Sequence, residues 1–208
     1  MQEYIGIVGA GNQGVVVHDM LRRQRRRVCG FLDDAYPYGD VIKRVLGATS
    51  LITSGSYGEI NCLIVAIGNN VARESKFYEL SAHLPMINVV DDSAHVSKWA
   101  KLPEKAGLMV HPLSCIGPDS SVSMDTIINT GAIVEHNVDI GKHVHLAPGA
   151  IVLGRAHVED GAFIGGGAVI RDGLTVGKWA MVGMGSVVTR DVPEGEKWYG
   201  NPARQGGG

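Results

Sequence analysis

The sequence predicts two units of different construction: an α/β unit over residues 1–88 and a parallel β-helix over residues 89–194, with a tail at 195–208. Three observations carry this. A branched aliphatic residue recurs at every sixth position from Val110 to Val188, through Ile116, Val122, Ile128, Val134, Ile140, Leu146, Val152, Val158, Ile164, Ile170, Val176 and Val182. Four residues after these stand mostly small or β-branched residues, among them Ser114, Ser120, Thr126, Ala132, Ala150, Ala156, Ala162, Ala168, Ala180 and Ser186. A period of six is neither the helical nor the simple strand period, and belongs to a solenoid. Before it, short apolar runs alternate with helical patterns, which points to a parallel sheet.

In the first unit Tyr4–Val8 reads as a strand, Gly9–Gly14 as a tight turn and Val15–Arg23 as a helix. A second strand follows over Arg27–Leu32 and ends at Asp33-Asp34; a short strand is expected near Leu51–Ile52. Cys62–Ile67 is a buried strand ending at Gly68-Asn69-Asn70, Arg73–His83 a helix, and Met86–Val89 a last strand. The six-residue step already holds at Val90, Val96, Leu102 and Leu108, slips by two residues, and restarts at Val110. Three hexads make one triangular turn, and each turn buries its aliphatic residues only by stacking on the next. Residues 18 apart therefore stand in one column. The period alone leaves the hand of the coil open.

The bulk numbers exclude several classes. With 45% hydrophobic residues the chain can build a core, and a net charge of −2 gives no case for nucleic acid. Arg22, Arg23, Arg25, Arg26 and Arg27 form the one basic cluster, read as the solvated end of a helix. Three cysteines without metal spacing, no signal-peptide pattern and no long apolar stretch lead to the expectation of a cytoplasmic protein.

Gly9-x-Gly11-x-x-Gly14 lies between a strand and a helix, where backbone N–H groups favour a phosphate. Asp33 follows Gly14 by 19 residues, at the end of the next strand, where a carboxylate reaches a ribose hydroxyl. Eighty-eight residues make one mononucleotide-binding (half-Rossmann) unit, so a single nucleotide fits better than a dinucleotide, and an NAD-dependent oxidoreductase is disfavoured. No two histidines are 18 apart, so the columns hold no metal site and none is expected. His136 stands two residues past an inward aliphatic, in a column with Pro118, Gly154, Asp172 and Arg190, and Gly154 leaves room beside the imidazole.

These features together resemble the bacterial nucleotide-amino-sugar N-acetyltransferases of the sialic-acid O-acetyltransferase-like family. The resemblance rests on Gly9–Gly14, Phe31-Leu32-Asp33-Asp34, Ala66–Asn70, Ile128-Asn129-Thr130, Val134-Glu135-His136, His145–Gly149 and Gly200-Asn201-Pro202-Ala203. It implies a left-handed β-helix and acetyl transfer from acetyl-CoA to the amine of a UDP- or GDP-linked 4-amino-6-deoxy sugar in surface glycan synthesis. It further implies that His136 is the general base, with Asn137 beside it and the Gly154 amide as oxyanion donor. Gly9, Gly11, Asn12, Gln13, Asp33, Asp34, Gly68 and Asn129 would bind the nucleotide sugar, and His145, Gly166 and Met184 the coenzyme. Two positions depart from the family pattern: Asn137 replaces a carboxylate found in some members, and Gln13 a histidine common in the glycine turn. Gly166 and Met184 share a column with Pro148, two hexads from His136, so the two groups occupy different edges of the triangle. An active site between subunits of a C₃ homotrimer follows as an expectation. The alternatives weighed are a sialic-acid-type O-acetyltransferase, a zinc β-helix enzyme and a non-catalytic scaffold.

Overall fold

A computed structural model describes residues 2–35 and 44–206. The chain divides into two compact units, Met1–Val89 with Glu104–Gly107, and Val90–Pro103 with Leu108–Gly208.

The first unit is a four-stranded parallel sheet of β1 (Ile5–Val8), β2 (Val28–Leu32), β3 (Val45–Gly47) and β4 (Cys62–Val65), in the order β3-β2-β1-β4. Helix α1 (Asn12–Arg23) lies between β1 and β2 in the chain, α2 (Ser50–Thr53) between β3 and β4, and α3 (Asn70–Ser81) follows β4. Ile5, Ile7, Leu32, Leu63 and Ile64 are fully buried, as expected of strands covered on both faces. Val17, Met20 and Leu21 of α1 and Leu80 of α3 are fully buried as well. The arginine cluster is only partly free: Arg26 pairs with Glu3 at 2.8 Å and donates to the Asn88 carbonyl, and Arg27 stacks on Tyr4.

Four local expectations change. Leu51 and Ile52 lie in the single helical turn α2, and the edge strand is Val45–Gly47. Two apolar residues are too short a run to separate strand from helix, and burial of Ile52 satisfies either. Helix α1 begins at Asn12, because Gly11 adopts an extended conformation and serves as its N-cap. Helix α3 begins at Asn70, since the Asn69 side chain accepts from the Ala72 amide and closes its first turn. The strand expected at Met86–Val89 is divided: Met86 forms one parallel bridge with Leu63, and Val89 belongs to the two-residue strand Val89–Val90.

The second unit is a three-faced parallel β-helix of two-residue strands. One face carries Met109–Val110, Ile127–Ile128, His145–Leu146, Phe163–Ile164 and Met181–Val182. The next carries Cys115–Ile116, Ile133–Val134, Ile151–Val152, Val169–Ile170 and Val187–Val188. The third carries Ser121–Val122, Asp139–Ile140, His157–Val158 and Thr175–Val176. In each strand the second residue is the periodic aliphatic, and it points inward; Val134, Leu146, Val152, Ile164 and Ile170 are fully buried. The small residues four positions later are buried at the corners, and their hydroxyls tie neighbouring turns: Thr126 donates to the Gly141 carbonyl at 2.8 Å. The two-residue slip separates the first turn from the rest. His95 and Val96 pair with Cys115 and Ile116, an offset of 20, whereas Cys115 pairs with Ile133, an offset of 18. Lys197–Tyr199 extends the first face by pairing with Met181–Val182, and Arg204–Gln205 returns antiparallel to it.

Candidate functional site

The first unit presents a cleft of about 310 Å³ at the carboxyl ends of its strands, where β1 and β4 meet at the reversal of strand order. Val8, Gly9, Asp33, Asp34, Ile67 and Lys76 are among its lining residues. The three glycines of the turn do different work. A Cβ on Gly14 would lie 1.9 Å from the Gly9 carbonyl oxygen, and one on Gly9 would lie 2.8 Å from the Ala66 carbonyl oxygen, so both allow close packing. Gly11 and Gly68 face open space. Gly11 caps α1 without a side-chain hydrogen bond, and the first turn of the helix, with Asn12 and Gln13, holds no acidic residue. Amides at such a helix start suit an anion.

Asp33 and Asp34 are more engaged than their positions in sequence suggest. Asp33 accepts from the Ala10 amide at 2.7 Å and from the Ala35 amide at 2.8 Å, which braces the glycine turn. Asp34 accepts from the Thr49 amide and hydroxyl and pairs with Lys76 at 2.9 Å. Burial pushes the Asp34 carboxyl up, but the hydrogen bonds from Thr49 and Lys76 outweigh it and hold it below the usual carboxylate range. The Ala66–Asn70 segment is likewise structural in part: Asn70 and the Ile67 carbonyl both accept from the fully buried Arg73.

In the second unit His136 lies at the corner after the second face. Its neighbours in the column are fixed by backbone bonds: Asn137 N–H donates to the Pro118 carbonyl, Arg155 N–H to the His136 carbonyl, and Gly173 N–H to the Gly154 carbonyl. The imidazole lies against Gly154, where a Cβ would stand 2.7 Å from Cε1 and 2.8 Å from Nε2. Asn137 has φ 57°, a left-handed conformation that asparagine tolerates well. That turn brings its Oδ1 to 3.0 Å from His136 Nδ1. An amide oxygen only accepts, so of the two neutral tautomers this contact selects the one with the proton on Nδ1 and the lone pair on Nε2. Among the described residues the Gly154 N–H has no backbone hydrogen-bond partner.

The coenzyme candidates lie at the preceding corner. Pro148, Gly166 and Met184 stack there, with Gly167 N–H donating to the Pro148 carbonyl and Gly185 N–H to the Gly166 carbonyl. Gly166 sits tightly above Pro148, and Met184 is 86% exposed. His145 is buried on the first face, edge-on to Phe163 at 5.2 Å. Asn129 Nδ2 lies 3.1 Å from His145 Nε2, and Asn129 Oδ1 accepts from the Thr130 amide. Asn129, expected among the substrate-binding residues, therefore stands beside His145 and away from the His136 column. The structure brings together His136, Asn137 and Gly154, and separately His145, Asn129, Gly166 and Met184.

One pair escaped the sequence reading. His143 Nδ1 lies 2.7 Å from Asp125 Oδ2, with both side chains buried at the corner after the third face. The residues are 18 apart, so the search for histidine stacked on histidine passed over them; extending it to carboxylates finds them. Among the described residues, no group of three or more His, Cys, Asp or Glu converges as a metal site. No described helix is long and apolar enough to cross a membrane.

Comparison with known proteins adds to this geometry. Residues 4–80 match the PglD N-terminal domain family, and residues 155–190 match the bacterial transferase hexapeptide (six repeats) family. The chain is similar to PerB from Caulobacter crescentus, solved with CoA and GDP-perosamine, at 32% identity and a TM-score of 0.92, covering 98% of this chain and 97% of that one. Complexes of the same Caulobacter enzyme in which one histidine is replaced by asparagine or alanine also match. The acetyltransferase domain of PglB from Neisseria gonorrhoeae, with acetyl coenzyme A, is 29% identical with a TM-score of 0.90, over 99% of this chain and 100% of that one. WeeI from Acinetobacter baumannii is 30% identical with a TM-score of 0.88, over 98% and 100%.

Proposed function

The chain belongs to the hexapeptide-repeat N-acetyltransferases of nucleotide-linked amino sugars, and we propose that it moves the acetyl group of acetyl-CoA onto the amine of a UDP- or GDP-linked 4-amino-6-deoxy sugar. The observation that carries the reading is the His136–Asn137–Gly154 corner. His136 Nε2, which carries the lone pair in the tautomer selected by the contact at Nδ1, takes a proton from the sugar nitrogen as that nitrogen bonds to the thioester carbon. The Gly154 N–H receives the oxyanion. The C–S bond then breaks, and the CoA thiolate leaves and is protonated. A positioned base contributes roughly 10²–10⁴-fold. The nucleotide occupies the cleft beside Gly9, Gly11, Asn12, Gln13 and Gly68, with Asp33 sharing its oxygens between the turn and a ribose hydroxyl. His145, Gly166 and Met184, together with Asn129, hold the coenzyme. Surface glycan synthesis is the role this chemistry serves, and acetyl-CoA as donor together with free Cys29, Cys62 and Cys115 suits the cytoplasm.

A homotrimer completes the site. The His136 column and the Gly166–Met184 column border the second face on opposite sides. The outward residues of that face are Cys115, Ile133, Ile151, Val169 and Val187, an apolar ladder. The third face instead shows Ser121, Asp139, His157 and Thr175, with Asp139 bonded to both Ser121 and His157. Three copies with the apolar faces towards a common axis bury the ladder and set the His136 edge of each copy against the Gly166–Met184 edge of its neighbour.

Thiol release from acetyl-CoA with a panel of UDP-, GDP- and dTDP-linked 4-amino sugars tests the activity. His136→Ala is expected to lower kcat at least 100-fold with an unchanged melting temperature, and retained kcat removes His136 from its role. Binding of NADH without binding of acetyl-CoA overturns the reading as a whole. Ile151→Asp places a charge in each copy at the axis and is expected to give monomers by sedimentation, with activity lost; a fully active monomer refutes the shared site.

A further inference from the structure

The cleft of the first unit continues past the glycine turn, and its wall there carries a charged pair that acetyl transfer itself does not need. Asp33 holds the turn through the Ala10 amide; Asp34, one residue on, bonds to Thr49 and pairs with Lys76 at 2.9 Å. Asp34, Thr49 and Lys76 all line the cleft, together with Ile67 and Ala72. Ala72 and Lys76 are four apart on α3 and share one face of the helix. Ile67 is half-buried and Ala72 exposed, so the cleft offers apolar surface to the plane of a ring and the charged pair to its edge. A nucleotide with its phosphates at the start of α1 and its ribose at Asp33 carries its base on towards that pair.

Both charges are reachable: the Lys76 and Asp34 side chains are 26% and 49% exposed. Burial pushes the Lys76 ammonium down, but the bonds to Asp34 and Glu79 outweigh it and hold it above the ordinary lysine value. Among the described residues three donors meet the Asp34 carboxylate: the Thr49 amide, the Thr49 hydroxyl and the Lys76 ammonium. A carboxylate has about four lone-pair sites, which leaves one for an incoming N–H. The ammonium donates to Asp34, to Thr49 Oγ1 and to Glu79. Its contact with Glu79 is a surface pair between residues three apart, a weak bond that a carbonyl in the cleft can replace.

We propose that Lys76 and Asp34 read the edge of the acceptor's nucleobase, Lys76 donating to a ring carbonyl and Asp34 accepting from the ring N–H beside it. This rests on the nucleotide-sugar reading of the cleft. Guanine presents these groups at C6=O and N1–H, and uracil and thymine at C4=O and N3–H. Adenine and cytosine reverse them, with an exocyclic amine for the carbonyl and a bare ring nitrogen for the N–H. Against those two bases the ammonium meets an amine and the carboxylate meets a lone pair, so both contacts repel. The pair therefore admits guanine, uracil and thymine nucleotides and rejects adenine and cytosine ones. Acetyl-CoA itself carries an adenine nucleotide, so the same pair keeps the donor out of the acceptor's cleft.

The test is calorimetric titration of GDP, UDP, ADP and CDP into the full chain without acetyl-CoA, with melting temperature as the check on folding. The wild type is expected to bind GDP over ADP, and UDP over CDP, by at least about 10-fold, the loss that follows when a charge-assisted hydrogen bond is not made. Lys76→Met should weaken GDP and UDP by about that factor and leave ADP and CDP in place, so that the preference collapses. Lys76→Arg, which keeps a charged donor, should retain most of the preference. An equal loss for all four nucleotides in Lys76→Met, as a phosphate contact or a merely structural Lys76 would give, overturns the inference. A wild type that binds ADP and CDP as tightly as GDP and UDP overturns it without recourse to any variant. Both of those outcomes leave the N-acetyltransferase reading standing, because thiol release with GDP- or UDP-linked 4-amino sugars tests that reading separately. Failure of the wild type to bind any of the four nucleotides overturns the nucleotide reading of the cleft, and this inference with it.

Discussion

Gly154→Ala isolates the contact between the candidate base and the corner beneath it. A Cβ at this position would stand 2.7 Å from Cε1 and 2.8 Å from Nε2 of His136, whereas ordinary contact begins near 3.4 Å. The ring must retreat by about 0.7 Å or turn away, and because His136 is exposed it can do so without disturbing the coil. Gly154 has no positive φ, so alanine adds no backbone strain, and its N–H remains to serve the oxyanion. The variant should therefore fold and bind acetyl-CoA as the wild type does. Displacement of a catalytic group by about 1 Å costs on the order of 10²-fold, and kcat is expected to fall by about that factor. The assay is thiol release at saturating acetyl-CoA and amino sugar, beside a thermal melt and calorimetric titration of acetyl-CoA. A kcat within 2-fold of wild type in a protein with unchanged melting temperature would refute the argument that the imidazole works from its position against Gly154.

Two further outcomes follow from single side chains. Asn137→Gly keeps the left-handed φ of 57° but removes the acceptor for His136 Nδ1–H, so kcat/KM should drop about 10-fold with little loss of stability; an unchanged kcat/KM would show that this contact does not hold the ring for catalysis. His111 is buried, and burial pushes its imidazole down to about 4 against the opposing pull of Asp91. Its folded pKa lies below the unfolded value of about 6.5, so the unfolded chain takes up the extra proton, and stability is complete above about pH 6.5 and lost as pH falls towards 4. The loss approaches about 3 kcal/mol, read from urea unfolding at fixed protein concentration, and a His111→Asn variant with the same pH slope between 4 and 6.5 would exclude His111 as its source.

The periodic residues made the coil legible because its core repeats the same demand at every turn. The two-residue slip before Val110 was equally legible, and it appears as the change in pairing offset from 20 to 18. The first unit was legible in outline only. Strand against helix at Leu51–Ile52 depends on tertiary burial of Ile52, and the start of α3 depends on the side-chain cap from Asn69; neither leaves a periodic trace. Asp33 illustrates the limit for sites. Its spacing from the glycine turn is the same whether its carboxylate faces a ribose or braces the turn, and only the bonds to Ala10 and Ala35 reveal the second use. The column rule placed His136 against Gly154, but the local turn that brings Asn137 Oδ1 to the ring depends on the backbone conformation at Asn137.

The division of labour within a hexad explains why the fold could be read so far ahead of the site. The aliphatic residue and the residue four after it are buried at turn after turn, so they carry the coil and nothing else. The residue two after the aliphatic is the one whose amide enters no backbone hydrogen bond of the described coil from Pro112 to Arg190. Proline is accordingly free to occupy it, as at Pro112, Pro118 and Pro148, since a missing N–H costs nothing there. His136, Gly154, Gly166 and Met184 all occupy this position. An outward amide with no structural duty can face an oxyanion or a coenzyme, and an outward side chain can vary without touching the core. The period therefore fixes where chemistry can be placed on the coil, and the residue at that place decides which chemistry it is. Changes at these positions are expected to alter turnover or KM while leaving the melting temperature in place, whereas changes at the aliphatic positions should do the reverse.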